Sequence, residues 1–169
     1  MPERLGYVVD DVERLVIDHD YRPLGDIDDD VLLLEWDIAV SKEDLVQFAA
    51  TARRWWRESV IVAPYRIYYE HMLSEPVWAH RSWDGEPKGM ANPVGAVPVG
   101  TGQPTCNLFG LGMVYLPAKL VRAFIDAKWS NKFGDVEFSM WHYLHVTQDV
   151  PICWDVHPVH LNYRTPQVH

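Results

Sequence analysis

The sequence predicts a single domain of the α/β class, and two observations carry this prediction. The chain has 169 residues, of which 48% are hydrophobic and 12% are aromatic. A chain of this size and composition can bury a sizeable core without disulfides. In addition, residues 31–63 have the pattern of a strand, a helix and a second strand. Strands that alternate with helices are typical of α/β domains.

The residues at the ends of this strand, helix and strand unit define its bounds. Val31–Leu34 is an unbroken apolar run that suits a strand covered on both faces. Ser41 is a favourable N-cap, and apolar residues then recur at helical spacing, which predicts a helix over 42–57. Ser59–Ala63 is short and rich in β-branched residues, and Pro64 closes it. We therefore predict a second strand there.

The same patterns predict the remaining elements. Helices are expected at 8–18, from Pro117 to about Ala127, and over 136–145, and strands at 108–116 and 152–156. The segment from Glu75 to Gln103 is rich in proline and glycine, and a long stretch of that kind inside a compact domain is usually a functional loop. We expect a flap at about 75–107 within one domain spanning residues 1–169.

Charge and cysteine content exclude several classes of protein. The chain has 15 basic and 24 acidic residues and a net charge of −9, which disfavours nonspecific binding to nucleic acid or anionic membranes. Arg53, Arg54 and Arg57 form a short basic stretch, but on a helix their side chains point in different directions. Cys106 and Cys153 are too few for a disulfide framework. With no apolar run near the length of a membrane span and no signal-peptide pattern, we expect a cytoplasmic protein without a membrane partner.

Two carboxylates follow the first predicted strand, in Glu35-Trp36-Asp37. Ligands of open α/β sheets bind beyond the carboxyl ends of strands, and paired carboxylates there can hold a hard cation that bridges phosphates. Alternatively, Asp37 caps a loop and Glu35 pairs with an arginine. The sequence leaves both interpretations open.

Histidines occur in two pairs, His142 with His145 on a predicted helix and His157 with His160 after the last predicted strand. Imidazoles at this spacing can share zinc or manganese. The aromatic residues around His142 favour a structural role for the first pair. His160, in a turn after a strand, is the better candidate ligand.

Asp135 and Glu137 begin a predicted helix directly after Gly134, where negative charge is favourable and a substrate can reach a general base. Gly110 and Gly112 allow the backbone to approach another group closely. The chain also has more tryptophans than packing requires, and some of them are expected to line a cleft: Trp78, Trp83, Trp129 and Trp141.

Taken in chain order, these motifs resemble those of glycosyltransferases of the GT-A fold class. Val31–Val40 looks like the strand that ends in the Asp-x-Asp motif of that class, with Glu35 in place of the first aspartate. Phe109–Met113 resembles its glycine loop, and Phe133–Asp135 resembles the acidic motif whose last residue is the base in inverting members. The resemblance covers about residues 29–163.

The resemblance extends to the end of the chain, where His157 or His160 looks like the C-terminal histidine that completes the metal site of the class. Two features differ from the family pattern. Gly134 stands where the family has a glutamate, and only about thirty residues precede Glu35, fewer than the family's first nucleotide-binding elements occupy.

This resemblance implies a three-layer α/β/α sandwich with a mixed sheet, and an enzyme that transfers a sugar from a nucleotide-diphosphate donor. The acceptor would be a hydroxyl of a glycan, a protein or a modified DNA base. The sequence leaves open whether the protein forms a homo-oligomer. Mn²⁺ or Mg²⁺ would be held by Asp37 with His160 or His157, and Asp135 would be the base of an inverting reaction. The implied donor site comes from two motifs: Glu35, Asp37, Gly110 and Gly112.

Two other functions compete with transfer. The four histidines 142, 145, 157 and 160 could form a metallohydrolase, which would retain tightly bound zinc through dialysis. The tryptophans could instead form a noncatalytic carbohydrate-binding module, which would bind sugars without nucleotide or metal.

Overall fold

A computed structural model describes residues 21–35, 37–54, 58–67, 77–82, 97–98 and 104–161. The helix predicted at 8–18 lies outside these residues, as do Arg57 and Trp83. Three α-helices occur in the described part, α1 (Lys42–Arg54), α2 (Ala118–Asp126) and α3 (Asp135–His145), and a 3₁₀ helix covers Arg22–Asp26. Within that part, every helix is too short or too polar to cross a membrane.

The strands of the described part are short. They are β1 (Val31–Leu34), β2 (Ile38–Ala39), β3 (Ile61–Val62), β4 (Arg66–Ile67), β5 (Val77–Trp78), β6 (Arg81–Ser82), β7 (Val97–Pro98), β8 (Thr105–Cys106), β9 (Met113–Leu116), β10 (Val150–Pro151) and β11 (Val159–His160). The protein is therefore a mixed α/β structure with several small antiparallel sheets, and the predicted α/β class is confirmed.

The central sheet has the order β1-β9-β3. Strand β9 is antiparallel to both neighbours, with Leu34 opposite Met113 and Ile61 opposite Tyr115. Strands β1 and β3 therefore run in the same direction with β9 between them. The predicted strand, helix and strand unit is present, but its two strands are not direct neighbours. A parallel bridge from Val62 to Ile152 extends the sheet on the far side of β3.

Side chains alternate between the two faces of this sheet, as the period of a strand requires. On one face Leu33, Val62 and Val114 join a buried cluster with Phe124 of α2 and Phe138 of α3. On the other face Ile61, Met113 and Tyr115 form a second cluster with Phe48 and Ala52 of α1. Helices therefore cover both faces, which explains why β9 is buried along its whole length.

Most predicted elements lie where the sequence placed them. The helix predicted at 42–57 is α1, described as far as Arg54. The helix predicted from Pro117 is α2, for which Pro117 is the N-cap, and the helix predicted at 136–145 is α3, one residue longer. The strand predicted at 108–116 is shorter, because only Met113–Leu116 pairs as β9 and the residues before it form a loop.

The strand predicted at 152–156 is wrong. The strand of this region is β10, which ends at Pro151, and Ile152 and Cys153 then donate single hydrogen bonds to Pro104 and Val62. Residues 154–155 form a turn with Asp155 exposed. Pairing beyond β10 is therefore limited to the bridge between Ile152 and Val62, and the apolar pattern at Val156 marks burial alone.

The proline- and glycine-rich interval at 75–107 carries more structure than the expected flap. Strands β5, β6, β7 and β8 lie within it, with β6 paired to β7. The amide and carbonyl of Arg81 in β6 both bond to Leu108, so the base of the interval is fixed to the segment before β9. Residues 83–96 lie outside the described part.

Asp30 connects the start of α2 to the central sheet. Its Oδ1 accepts the amide hydrogen of Ala118 at 2.8 Å, and its Oδ2 accepts the hydroxyl hydrogen of Tyr115 at 2.6 Å. The carboxylate therefore acts as a cap supplied from a distant part of the chain, because Pro117 has no side-chain acceptor for the first amides of the helix.

We predict that Asp30→Ala lowers the free energy of unfolding by about 2 kcal/mol, because two partly buried hydrogen bonds to a charged acceptor are lost. Urea denaturation monitored by circular dichroism measures the change. The control is Asp26→Ala, which removes an exposed aspartate of the 3₁₀ helix. Equal losses in the two variants would contradict the capping role of Asp30.

Candidate active site

Strands β1 and β3 run in parallel, so their carboxyl ends lie at one edge of the central sheet. Glu35 follows β1, and its amide bonds to the carbonyl of Gly112 at 2.8 Å. Ala63 follows β3, and its amide bonds to the carbonyl of Met113 at 3.0 Å. Strand β9 begins at this same edge because it is antiparallel to both neighbours. The edge therefore gathers Glu35, Asp37, residues 63–65 and the loop before β9.

Tyr65 is buried at this edge, and three carboxylates surround it. Burial raises the pKa of the Tyr65 phenol well above its ordinary value, and the charges of Asp135, Glu35 and Asp37 raise it further. Carboxylates from two distant parts of the chain therefore act on one hydroxyl group. Sequence reasoning did not identify Tyr65, although its position after an apolar strand matches that of Glu35 after β1.

Asp37 and His160 form a pair at the edge of this cluster. Strand β11 pairs with β2, with His160 opposite Ile38, which brings the histidine beside the residue that precedes β2. Nε2 of His160 lies 3.3 Å from Oδ2 of Asp37. The imidazole also lies nearly parallel to the Tyr65 ring, at 11° and with ring centroids 6.0 Å apart.

Asp37 and His160 are the described residues that could hold a divalent cation at this edge. Oδ1 of Asp37 and Nδ1 of His160 are buried and have no hydrogen-bond partner. The separation of 3.3 Å between Oδ2 and Nε2 is close to the distance of about 3 Å between neighbouring ligands of an ion with bonds of about 2.1 Å. The described residues contain no group of three or more His, Cys, Asp or Glu side chains placed for a metal. A cation here would have two protein ligands, with other ligands from substrate and water.

The structure separates the two candidate histidines near the C-terminus. His157 is exposed, and its backbone amide donates to Oδ2 of Asp44 at 3.1 Å. His160 is the one that lies beside Asp37. Successive side chains of an extended chain point to opposite faces, which explains part of this difference. Val159 of β11 is exposed, and the next side chain, His160, faces Tyr65.

Glu35 is fixed by Tyr21, another residue that sequence reasoning missed. The Tyr21 hydroxyl donates a short hydrogen bond to Oε1 of Glu35, and the Tyr21 amide donates to the carbonyl of Phe133 at 2.8 Å. Tyr21 is buried, which raises its pKa, and the charges of Glu35 and Asp135 act in the same direction. The phenol therefore stays neutral and joins Glu35 to the segment that precedes Asp135.

Gly110 and Gly112 lie directly against the Tyr65 ring. A Cβ atom at Gly110 would lie 2.4 Å from Oη of Tyr65, and one at Gly112 would lie 2.7 Å from its Cζ. The Gly112 amide donates to the Tyr65 hydroxyl at 3.0 Å. Close approach was predicted for these glycines, and the group that approaches is Tyr65. Their predicted contact with a donor nucleotide stays a prediction.

His80 also holds this loop. Its Nε2 lies 2.6 Å from the carbonyl of Ala63, and its Nδ1 accepts the Gly110 amide hydrogen at 3.4 Å. Burial lowers the pKa of His80 to about 4, so the ring is neutral at pH 7 with its hydrogen on Nε2. His80 therefore connects the end of β3 to the glycine loop.

Asp135 is the first residue of α3, and its carboxylate points to the glycine loop. Its Oδ2 lies 3.5 Å from the Cβ position of Gly110, and the nearby Leu111 amide lowers the pKa of the carboxyl group. Asp135 keeps some solvent exposure, but protein surrounds the carboxyl group closely. Burial raises the pKa of Asp135 from 3.8 to about 6, with smaller effects from Glu137 and Asp37 that raise it and from Lys132 that lowers it. This is the environment of a general base.

Other residues singled out in the sequence lie elsewhere. His142 is buried against Phe109 and Phe138, and His145 is exposed. The predicted structural role of His142 agrees with this position, and no described cluster unites the four histidines. Trp141 packs in the core against Phe124 and Phe138, so it lines no cleft, whereas Trp129 is partly exposed.

The chain matches no protein-family model, and none of the curated proteins shows a significant match to it. Its function must therefore be inferred from the geometry of the residues around Tyr65.

We predict that Gly110→Ala destabilises the protein by about 1–3 kcal/mol, the usual cost of overpacking, and that Tyr65→Phe relieves most of this loss. The reason is that the new methyl group meets Oη of Tyr65 at 2.4 Å but Cζ at 3.5 Å, an ordinary contact. A double-mutant cycle from thermal or urea unfolding measures the coupling.

The matched control is Gly112→Ala, because its methyl group would meet the ring carbon Cζ at 2.7 Å as well as the hydroxyl. Tyr65→Phe should not relieve that contact. Equal relief at both glycines would show that the ring is not fixed between them.

Proposed function

We propose that this protein is a glycosyltransferase that moves a sugar from a nucleotide-diphosphate donor to an acceptor hydroxyl, with metal assistance and inversion at the anomeric carbon. One observation carries the proposal. The residues that the resemblance to the GT-A class assigns to donor, metal and base come from distant parts of the chain and converge on Tyr65. They are Glu35, Asp37, Gly110, Gly112, Asp135 and His160.

The fold supports the same proposal. We propose that the central sheet is the middle of a three-layer α/β/α sandwich of the GT-A kind. In support, α1 packs on one face of β3 and β9, whereas α2 and α3 pack on the other. The candidate residues lie beyond the carboxyl ends of β1 and β3, where open α/β sheets bind their ligands.

Asp135 is the group that removes the acceptor proton in this proposal. Its pKa of about 6 leaves it mostly ionised at pH 7 and more basic than an ordinary aspartate. The acceptor hydroxyl gives its proton to the carboxylate, and its oxygen forms a bond to the anomeric carbon. The bond from that carbon to the phosphate oxygen breaks, and its electron pair leaves with the nucleoside diphosphate.

The remaining residues orient the donor and neutralise its charge. A divalent cation held by Asp37 and His160 would, when bound, supply positive charge against the leaving diphosphate. Without it the cluster of Glu35, Asp37 and Asp135 would repel an anionic donor. The Tyr21 hydroxyl holds Glu35 in a fixed direction, and the Leu111 amide favours the ionised form of Asp135, the form that accepts a proton.

We predict that Asp135→Asn lowers turnover by about 10²-fold or more, the usual scale for a positioned base. In the parent protein the rate should rise with pH through about 6, because only the ionised carboxylate accepts a proton. The measurement is release of nucleoside diphosphate as a function of pH, using a donor identified by thermal shift with Mn²⁺.

Stability gives an independent readout of Asp135. Because the pKa of Asp135 is raised in the folded state, the protonated carboxyl group stabilises the fold. This stabilisation is fully present below pH 3.8 and is lost as the pH rises through about 6. Asp135→Asn should remove this pH dependence and should be at least as stable as the parent at pH 8. The matched control is Glu137→Gln, two residues along α3. Loss of turnover in Glu137→Gln with full activity in Asp135→Asn would assign the base to Glu137.

We further predict that Asp37→Ala abolishes the stabilisation given by Mn²⁺ with a nucleoside diphosphate, while His157→Ala retains it. Asp37 lies beside His160, whereas His157 is exposed, and a ligand that binds only the folded state raises the melting temperature. Thermal shift with and without Mn²⁺ measures both variants. Full stabilisation of Asp37→Ala would remove that residue from the cation site.

A further inference from the structure

Tyr65 makes contacts on two sides that the proposed mechanism does not use. Its hydroxyl accepts the Gly112 amide hydrogen at 3.0 Å, and its ring lies nearly parallel to the imidazole of His160. A third contact comes from His80, whose ring meets the Tyr65 ring edge-on with centroids 5.2 Å apart. The phenol is therefore enclosed by the glycine loop and by histidines from two different segments.

The hydroxyl side of Tyr65 leads to Asp135. Gly110 and Gly112 flank Leu111, and both glycines lie against Tyr65. Oδ2 of Asp135 lies 3.5 Å from the Cβ position of Gly110, and the Leu111 amide between the glycines favours the ionised form of Asp135. A loop held on both sides of Leu111 keeps the backbone beside the carboxylate in a fixed direction.

The ring side of Tyr65 leads to the candidate cation pair. The imidazole of His160 has no hydrogen-bond partner on Nδ1, the atom by which outer groups usually orient a metal-binding histidine. The parallel contact with the Tyr65 ring supplies an orientation for the imidazole while its Nε2 faces Asp37.

We propose that Tyr65 is the positioning residue of the site, because its hydroxyl fixes the glycine loop against Asp135 and its ring fixes His160 against Asp37. This inference rests on the proposed function for its kinetic test. The two sides of the residue can be separated, since phenylalanine keeps the ring and loses only the hydroxyl.

Tyr65→Phe should lower kcat about 10- to 100-fold, the cost of a misplaced reacting group, and should leave KM for the donor within about twofold. The Leu111 amide signal should shift in ¹H–¹⁵N spectra, because the loop loses the hydrogen bond from the Gly112 amide to the Tyr65 hydroxyl. Tyr65→Leu should in addition weaken Mn²⁺ binding about 10-fold, measured by electron paramagnetic resonance, because the contact with His160 is lost.

The matched control is Tyr115→Phe, which also removes a buried tyrosine hydroxyl with a hydrogen bond, here to Asp30 at 2.6 Å. It should lose stability without changing kcat or the Leu111 amide signal. If Tyr65→Phe retains parental kcat and an unshifted Leu111 amide, or if Tyr115→Phe moves both as much, the positioning role is wrong.

The spectroscopic readout needs no donor. If the parent transfers no sugar from any nucleotide donor, the proposed function fails, whereas the Leu111 signal still decides the role of the hydroxyl. If Tyr65→Leu does not fold, Tyr65→Phe still decides it. In the folded parent, the ring protons of His160 should be shifted upfield by the parallel phenol, and unshifted protons would overturn the role of the ring.

Discussion

The insertion of antiparallel β9 between β1 and β3 is the constraint on which the candidate site depends. It makes the two outer strands parallel and brings their carboxyl ends to the edge at which β9 begins. Glu35, Tyr65 and Gly112 meet there through backbone hydrogen bonds and side-chain contact. A strand order that did not place β1 beside β9 would separate the carboxylate motif from the glycine loop, whatever their local sequences were.

The site gathers negative charge at a cost to the stability of the fold. The charges of Glu35, Asp37 and Asp135 all raise the pKa of one buried phenol, that of Tyr65. Among the described residues, Lys132 supplies positive charge near Asp135. Neutral donors compensate in part, namely the Tyr21 hydroxyl for Glu35 and the Leu111 amide for Asp135. Such an arrangement is typical of functional sites, where pKa values are shifted and local stability is lower than it would otherwise be.

Elements that depend on local pattern were predictable, and those that depend on distant pairing were not. Val31–Leu34 and the helices that begin after Ser41, Pro117 and Gly134 follow from apolar spacing and helix-start residues. The strand expected at 152–156 failed because burial and strand pairing give the same apolar pattern there. Of the candidate site, the sequence singled out most of the polar residues, whose functional roles stay predictions. It did not single out Tyr65, whose proposed role depends on distant segments that only the sheet brings together.

The pairing of β2 with β11 has a consequence for how the protein is made. Asp37 and His160 are brought together by strands that lie more than a hundred residues apart in the chain, so closing this contact is entropically expensive and slow compared with forming the helices. During synthesis, Asp37 leaves the ribosome long before its partner exists. A nascent chain can therefore build the β1 and α1 region early, while the candidate cation pair forms only after residue 160 has emerged.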